Sequence, residues 1–91
     1  MNIAWDPAKD ATNWVKHGVD FSEAASVLED PLSTTWPDPD HSRGEQRFIT
    51  LGLSPTGRVL LVAHTDRGWT IRIISARAAT RQERRQYEEG A

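Results

Sequence analysis

Apolar residues recur with two different periods along this chain of 91 residues, and the switches between them lay out an α+β order. Residues 2–5 read as a short edge strand. Asp6-Pro7 then opens a helix: Asp6 can cap it, and Pro7 suits the first helical position, where a missing N–H does no harm. Gly18 ends that helix. Ala8, Ala11 and Val15 share one stripe and are expected to face the core. Lys9, Asn13, Lys16 and His17 share another, which reads first as a solvated face. A second helix, capped by Asp20 or Ser22, packs Phe21, Ala24, Ala25 and Leu28 and stops at Asp30-Pro31.

From residue 33 the period shortens to two. Residues 33–36 pair as a strand, and 37–44 form a polar, turn-rich loop. The carboxylates Asp38, Asp40 and Glu45 near His41 read as an exposed connection rather than a metal or acid–base site. A three-stranded meander follows over 47–53, 58–65 and 69–76, with hairpin loops at Ser54-Pro-Thr-Gly57 and Asp66-Arg-Gly68. If Leu53 opposes Arg58 and Thr65 opposes Trp69, then Arg47, His64 and Arg72 emerge together on one face. Phe48, Leu61, Ala63, Ile71 and Ile73 form the opposite, core-facing side. Thr80-Arg-Gln-Glu83 has the residues of a capping box and starts a last helix that exposes Arg81, Arg84 and Arg85.

Composition changes this picture in two ways. From Arg58 to Arg85 seven arginines stand against Asp66 and Glu83, a net of +5, so the rest nets −7 in a chain of charge −2. A basic C-terminal third on an acidic body points to an anion-facing surface there. Second, Arg72 interrupts the β-branched run Ile71 to Ile74. A dry, unpaired arginine in such a strand is costly. Either a carboxylate neutralises Arg72, or its face opens onto solvent or an anionic ligand. No cysteine is present, and the three histidines have no zinc-like spacing, so no cofactor or metal is expected. The length suits a single domain over 1–91. The lack of a long apolar run leads to the expectation of a cytoplasmic protein with no membrane partner.

Several of these segments, in order, resemble BrnT-type toxins. They are Trp5-Asp-Pro-Ala-Lys9, Asn13, Lys16-His17-Gly18-Val19, Phe21-Ser-Glu-Ala24, Asp38-Pro-Asp-His41, Gly44-Glu45 and Arg47. The most specific block is Arg72-Ile-Ile-Ser-Ala-Arg77 with Ala79-Thr80, Glu83-Arg84 and Tyr87. One departure is Ala78, where the family usually carries a basic residue. The resemblance implies a RelE-like α+β fold, with two N-terminal helices packed on an antiparallel sheet and a C-terminal helix. It also implies a type II toxin: a small ribonuclease blocked by a BrnA-type ribbon-helix-helix antitoxin. The expected complex is a 2:2 heterotetramer that represses its own operon, touching DNA only through the antitoxin.

Metal-free RNA cleavage through the 2′-hydroxyl needs proton transfer and cations for the crowded phosphate. Arginine's fork holds two phosphate oxygens, and histidine exchanges protons near neutral pH. His17, His64, Arg72 and Arg77 are therefore the expected catalytic residues, with Lys9, Lys16, Arg47 and Arg84 as RNA phosphate contacts. The family motif supports Lys9, Lys16, His17, Arg72 and Arg77; His64 enters through the strand register alone. Bringing Arg72 and Arg77 together requires the chain to bend after Ser75. The competing reading is a binding module without catalysis, whose basic face and surplus apolar sheet face only hold an antitoxin.

Overall fold

The computed structural model describes residues 2–41 and 44–90, the side chain of His41 excepted. In chain order the elements are strand β1 (Asn2–Ala4), helices α1 (Pro7–His17) and α2 (Phe21–Val27), strands β2 (Thr34–Pro37), β3 (Arg47–Leu53), β4 (Val59–Arg67) and β5 (Thr70–Ala78), and helix α3 (Arg81–Glu89). The strands form one sheet in the order β1-β5-β4-β3-β2, antiparallel except where β1 meets β5. No helix among the described residues is long and apolar enough to cross a membrane.

The caps are those the sequence expects. Asp6 accepts the Ala8 N–H, and Gly18 closes α1 in the left-handed region at φ 65°. Asp20, rather than Ser22, caps α2 by accepting the Glu23 N–H. Thr80 and Glu83 complete their reciprocal box. The core lies between α2 with its flanking turn and one sheet face: Val19, Phe21, Ala24 and Val27 pack on Leu60, Val62, Ile73 and Ala76. Gly52 lets β3 come close to α2, since a Cβ there would stand 2.9 Å from Val27 Cγ1. Glu23 fastens α2 to the β3–β4 turn by accepting hydrogen bonds from Ser54, Thr56 and Arg58.

Two expectations are overturned. On α1, Ala8, Ala11 and Val15 are exposed, Val15 to 84%, and the buried residue is Asn13 from the polar stripe. Strand β1 covers only Thr70 to Arg72 of the outer edge of β5. Beyond it, edge N–H and C=O groups need partners. Asn13 supplies them: Nδ2 donates to the carbonyls of Ala76 and Val19 at 2.8 Å, and Oδ1 accepts the Ala76 N–H at 3.1 Å. The inward side of α1 thus carries an amide where the pattern rule expected methyl groups.

The second correction concerns register. Leu53 pairs with Val59, not Arg58, and Arg67 pairs with Thr70 across a two-residue Gly68-Trp69 turn. These slip β4 by one residue against β3 and by three against β5, both odd numbers, which exchanges its faces. Phe48, Ile71 and Ile73 keep the expected core side. Leu61 and Ala63 move to the opposite, open face, and His64 takes their place on the core side, opposite Phe48 and Ile73.

Asn13→Ala should lower the unfolding free energy by about 2–4 kcal/mol, because three buried backbone groups lose their partner; urea melts read this directly, and an unchanged midpoint would show the amide to be dispensable. Arg58 first, then Thr56 and Ser54, hold the Glu23 carboxyl at about 2 against the opposing effect of burial. A carboxyl depressed in the folded state stabilises above its unfolded value, and that stabilisation is lost as pH falls. Stability should therefore decline between about pH 4.5 and 2. Glu23→Gln should flatten that part of a urea-midpoint profile.

Candidate functional site

The site begins with a defect in β5. His64 pairs with Ile73 and Ala63 with Ser75, so Ile74 is an extra residue with no partner across the ladder. In a regular strand Arg72 and Arg77, five residues apart, would point to opposite faces. The bulge cancels that, and both emerge on the face turned away from α2. The sequence expected a bend after Ser75; the irregularity falls one residue before it.

On this open face the strands align three rows. Arg72, Thr65 and Arg47 form the first, Ser75, Ala63 and Ile49 the second, and Arg77, Leu61 and Leu51 the third. At about 3.3 Å per residue along β4, roughly 13 Å separates the first row from the third. Half-buried Ile49, Leu61 and Ala63 floor a hollow of about 280 Å³, rimmed by His17, Ser75 and Arg77. His17 reaches it because Asn13, one turn earlier, ties α1 to Ala76. Lys9, Lys16 and His17 line a second hollow of about 280 Å³ over Ile74 and Ser75. The two join across the edge of β5, with His17 and Ser75 common to both.

Charge is distributed unevenly over these groups. Arg77 donates to both carboxylate oxygens of Glu83, at 2.8 and 3.1 Å, and weakly to the Ala78 carbonyl. Two of its five N–H donors stay available. The pair pulls the Glu83 carboxyl to about 2, Arg77 first among the causes, and raises the Arg77 guanidinium. The structural ion pair that competes with a site role is therefore present at Arg77, yet it fixes the guanidinium at the rim of the hollow. Arg72 is exposed and makes no ion pair or side-chain hydrogen bond among the described residues. Glu45 bonds Arg67 instead, which outweighs burial and, with the weaker fields of Arg72 and Arg47, holds its carboxyl below the usual range. Between Arg47 and Arg72 lies buried Thr65, whose Oγ1 has no hydrogen-bond partner among the described residues.

His64 is placed elsewhere. It is 2% exposed, with Nε2 2.7 Å from Thr50 Oγ1 and Nδ1 2.7 Å from Asp66 Oδ1. Thr50 in turn meets Thr35 on β2 at 2.7 Å. This chain of polar groups locks β2, β3 and β4 together on the core side. The expected Arg47–His64–Arg72 cluster is thus an Arg47–Thr65–Arg72 row, a direct result of the exchanged faces of β4. Arg84 lies on α3, away from His17, in a groove with Leu53 and Val59. Thr65 and Ser75 escaped sequence reasoning because a hydroxyl in a strand carries no signal until the parity of that strand is known. The His41 side chain lies outside the described residues.

With this geometry in place, comparison with known proteins is specific. Residues 5–83 match the family described as the ribonuclease toxin BrnT of a type II toxin–antitoxin system. The 1.1 Å crystal structure of the Brucella abortus ribonuclease toxin BrnT is similar, with 26% sequence identity and a TM-score of 0.70. The alignment covers 89% of this chain and 99% of that one. A comparison with curated proteins gives no match. Both the matched span, which takes in Lys9, His17, Arg72 and Arg77, and the shared α+β architecture place this chain in the BrnT family of ribonuclease toxins of type II toxin–antitoxin systems.

Proposed function

We propose that the protein is a metal-independent endoribonuclease of the RelE-like kind whose reaction takes place in the hollow between His17 and Arg77. The observation that carries this reading is the Ile74 bulge, which aligns Arg72 and Arg77 on one open face beside the end of α1. The RNA 2′-hydroxyl attacks the adjacent phosphorus, the bond to the 5′-oxygen breaks, and a 2′,3′-cyclic phosphate and a 5′-hydroxyl result. His17 is the proton-transfer group. Arg77, immobilised by Glu83, offers its free N–H donors to the phosphoryl oxygens as charge builds on them. Arg72 and Arg47 hold a neighbouring phosphate at the other end of the apolar floor, and Lys9 and Lys16 approach from the α1 side. His64 has no part in the reaction on this reading, since both ring nitrogens are engaged on the core side of the sheet.

The partner we infer is a BrnA-type ribbon-helix-helix antitoxin, assembled 2:2 and carrying the DNA contact through which the operon is repressed. The apolar floor of the open face also favours a second reading, in which the same surface only seats the antitoxin. Antitoxin-free protein separates the two: on the first reading it cuts RNA in the presence of a chelator, and on the second it does not.

Within the enzyme reading, His17→Ala and Arg77→Gln should each slow single-turnover cleavage of a fluorogenic RNA by about 10²–10³-fold. Arg72→Ala should act mainly by raising the RNA concentration required. Thermal melts establish that each variant folds. Wild-type rates in both the His17 and Arg77 variants would remove the assignment.

A further inference from the structure

Helix α3 carries most of its charges against its own dipole. The positive end of a helix dipole disfavours cations in the first turn, and the negative end disfavours anions in the last. Yet Arg81 and Arg84 occupy the first turn, Glu88 and Glu89 the last, and no basic residue lies in the last turn to compensate. Arg81 and Arg85 are like charges at i, i+4, a repulsive spacing. Arg84 and Arg85 stand at i, i+4 to Glu88 and Glu89 without an ion pair among the described residues. Glu83, the acid in the first turn, is already taken by Arg77 and the Thr80 N–H. Among the described residues Arg58, Arg67 and Arg77 each have a glutamate partner, whereas Arg81, Arg84 and Arg85 have none.

These three guanidinium groups share one side of α3 and, with Tyr87 and the single acid Glu88, line a groove of about 510 Å³ against Leu53, Gly57 and Val59. Val59 follows the floor of the candidate site directly: it lies two residues from Leu61 on the same face of β4, about 7 Å away. Arg77, at the rim of the candidate site, ties β5 to α3 through Glu83.

We infer that the arginine side of α3 is a second phosphate-binding surface, which receives the single-stranded RNA as it leaves the Arg77 end of the candidate site. The inference rests on the ribonuclease reading and adds a footprint to it. An RNA strand lying along β4 passes the Arg72 row, the apolar floor and Arg77. It then meets three cations on one side of α3, suited to contact more than one phosphate. A polyanion in the groove relieves the repulsion between Arg81 and Arg85. Contacts of this kind carry no base specificity, so the surface sets how long a substrate must be rather than which sequence is cut.

The test uses a 12-nucleotide RNA with every 2′-hydroxyl methylated, which binds but cannot be cut, and the triple variant R81Q/R84Q/R85Q. Losing three phosphate contacts should reduce the slope of log K against log salt by about 2. Affinity at low salt should fall about tenfold or more, and the loss should shrink as the RNA is shortened to four nucleotides. The Arg→Lys triple variant should recover most of the affinity, because the contact is to charge. The Gln variant should melt no lower than the parent, since a repulsive pair has been removed. An unchanged salt slope and affinity in the Gln variant, with the parent binding RNA well, would overturn the α3 surface and leave the nuclease reading standing. A parent protein that neither binds nor cuts RNA would overturn both.

Discussion

The amide of Asn13 stands in for a missing strand. Strand β1 is too short to cover β5, and without a substitute the edge at Ala76 would leave a buried N–H and C=O unpaired. One side chain answers both and reaches Val19 as well, which fixes the chain as it turns from α1 toward α2. The position of α1 follows from that contact, and with it the place of His17 at the rim of the open face. An apolar residue at this position would fill the space but could not bind the edge.

The Ile74 bulge is the companion constraint. Bulges re-aim side chains, and here the effect is to put Arg72, Ser75 and Arg77 on one face of a strand that also serves the core through Ile73 and Ala76. The sheet therefore separates its two tasks by face. One side is closed by α2 and holds a polar chain, Thr35–Thr50–His64–Asp66, that pins three strands in register. The other keeps an apolar floor between cations. In the proposed site, the groups assigned to the phosphate thereby rest on a packed sheet rather than on loops.

Arginines in this chain fall into two groups by partner. Arg58, Arg67 and Arg77 are each held by a glutamate, and two of those glutamates, Glu23 and Glu83, sit in the first turn of a helix where a carboxylate also suits the dipole. Their pairing fastens helices to the sheet. Arg72 and the three arginines of α3 have no carboxylate partner among the described residues. Arg77 belongs to both groups, fixed by Glu83 and still holding free donors toward the hollow.

Local chemistry was legible in the sequence wherever it was self-contained. Asp6-Pro7, Asp20 with Glu23, Thr80 with Glu83 and Gly18 each mark a helix end through bonds that span four residues or fewer, so their residue types alone determined the elements. The pieces that carry the family likeness were equally readable, since spacing along the chain is preserved. What depended on counting residues through a turn was not. A slip of one at Val59 exchanged the faces of β4, sent His64 into the core side and left Thr65 between the two arginines. Nor did periodicity identify the inner side of α1, because the neighbour it meets is an unpaired strand edge, which calls for an amide and not for methyl groups. Sequence thus determined which elements form and which cations are available. The tertiary structure alone decided which of them share a face, because that depends on the parity of strands and on a single extra residue in β5.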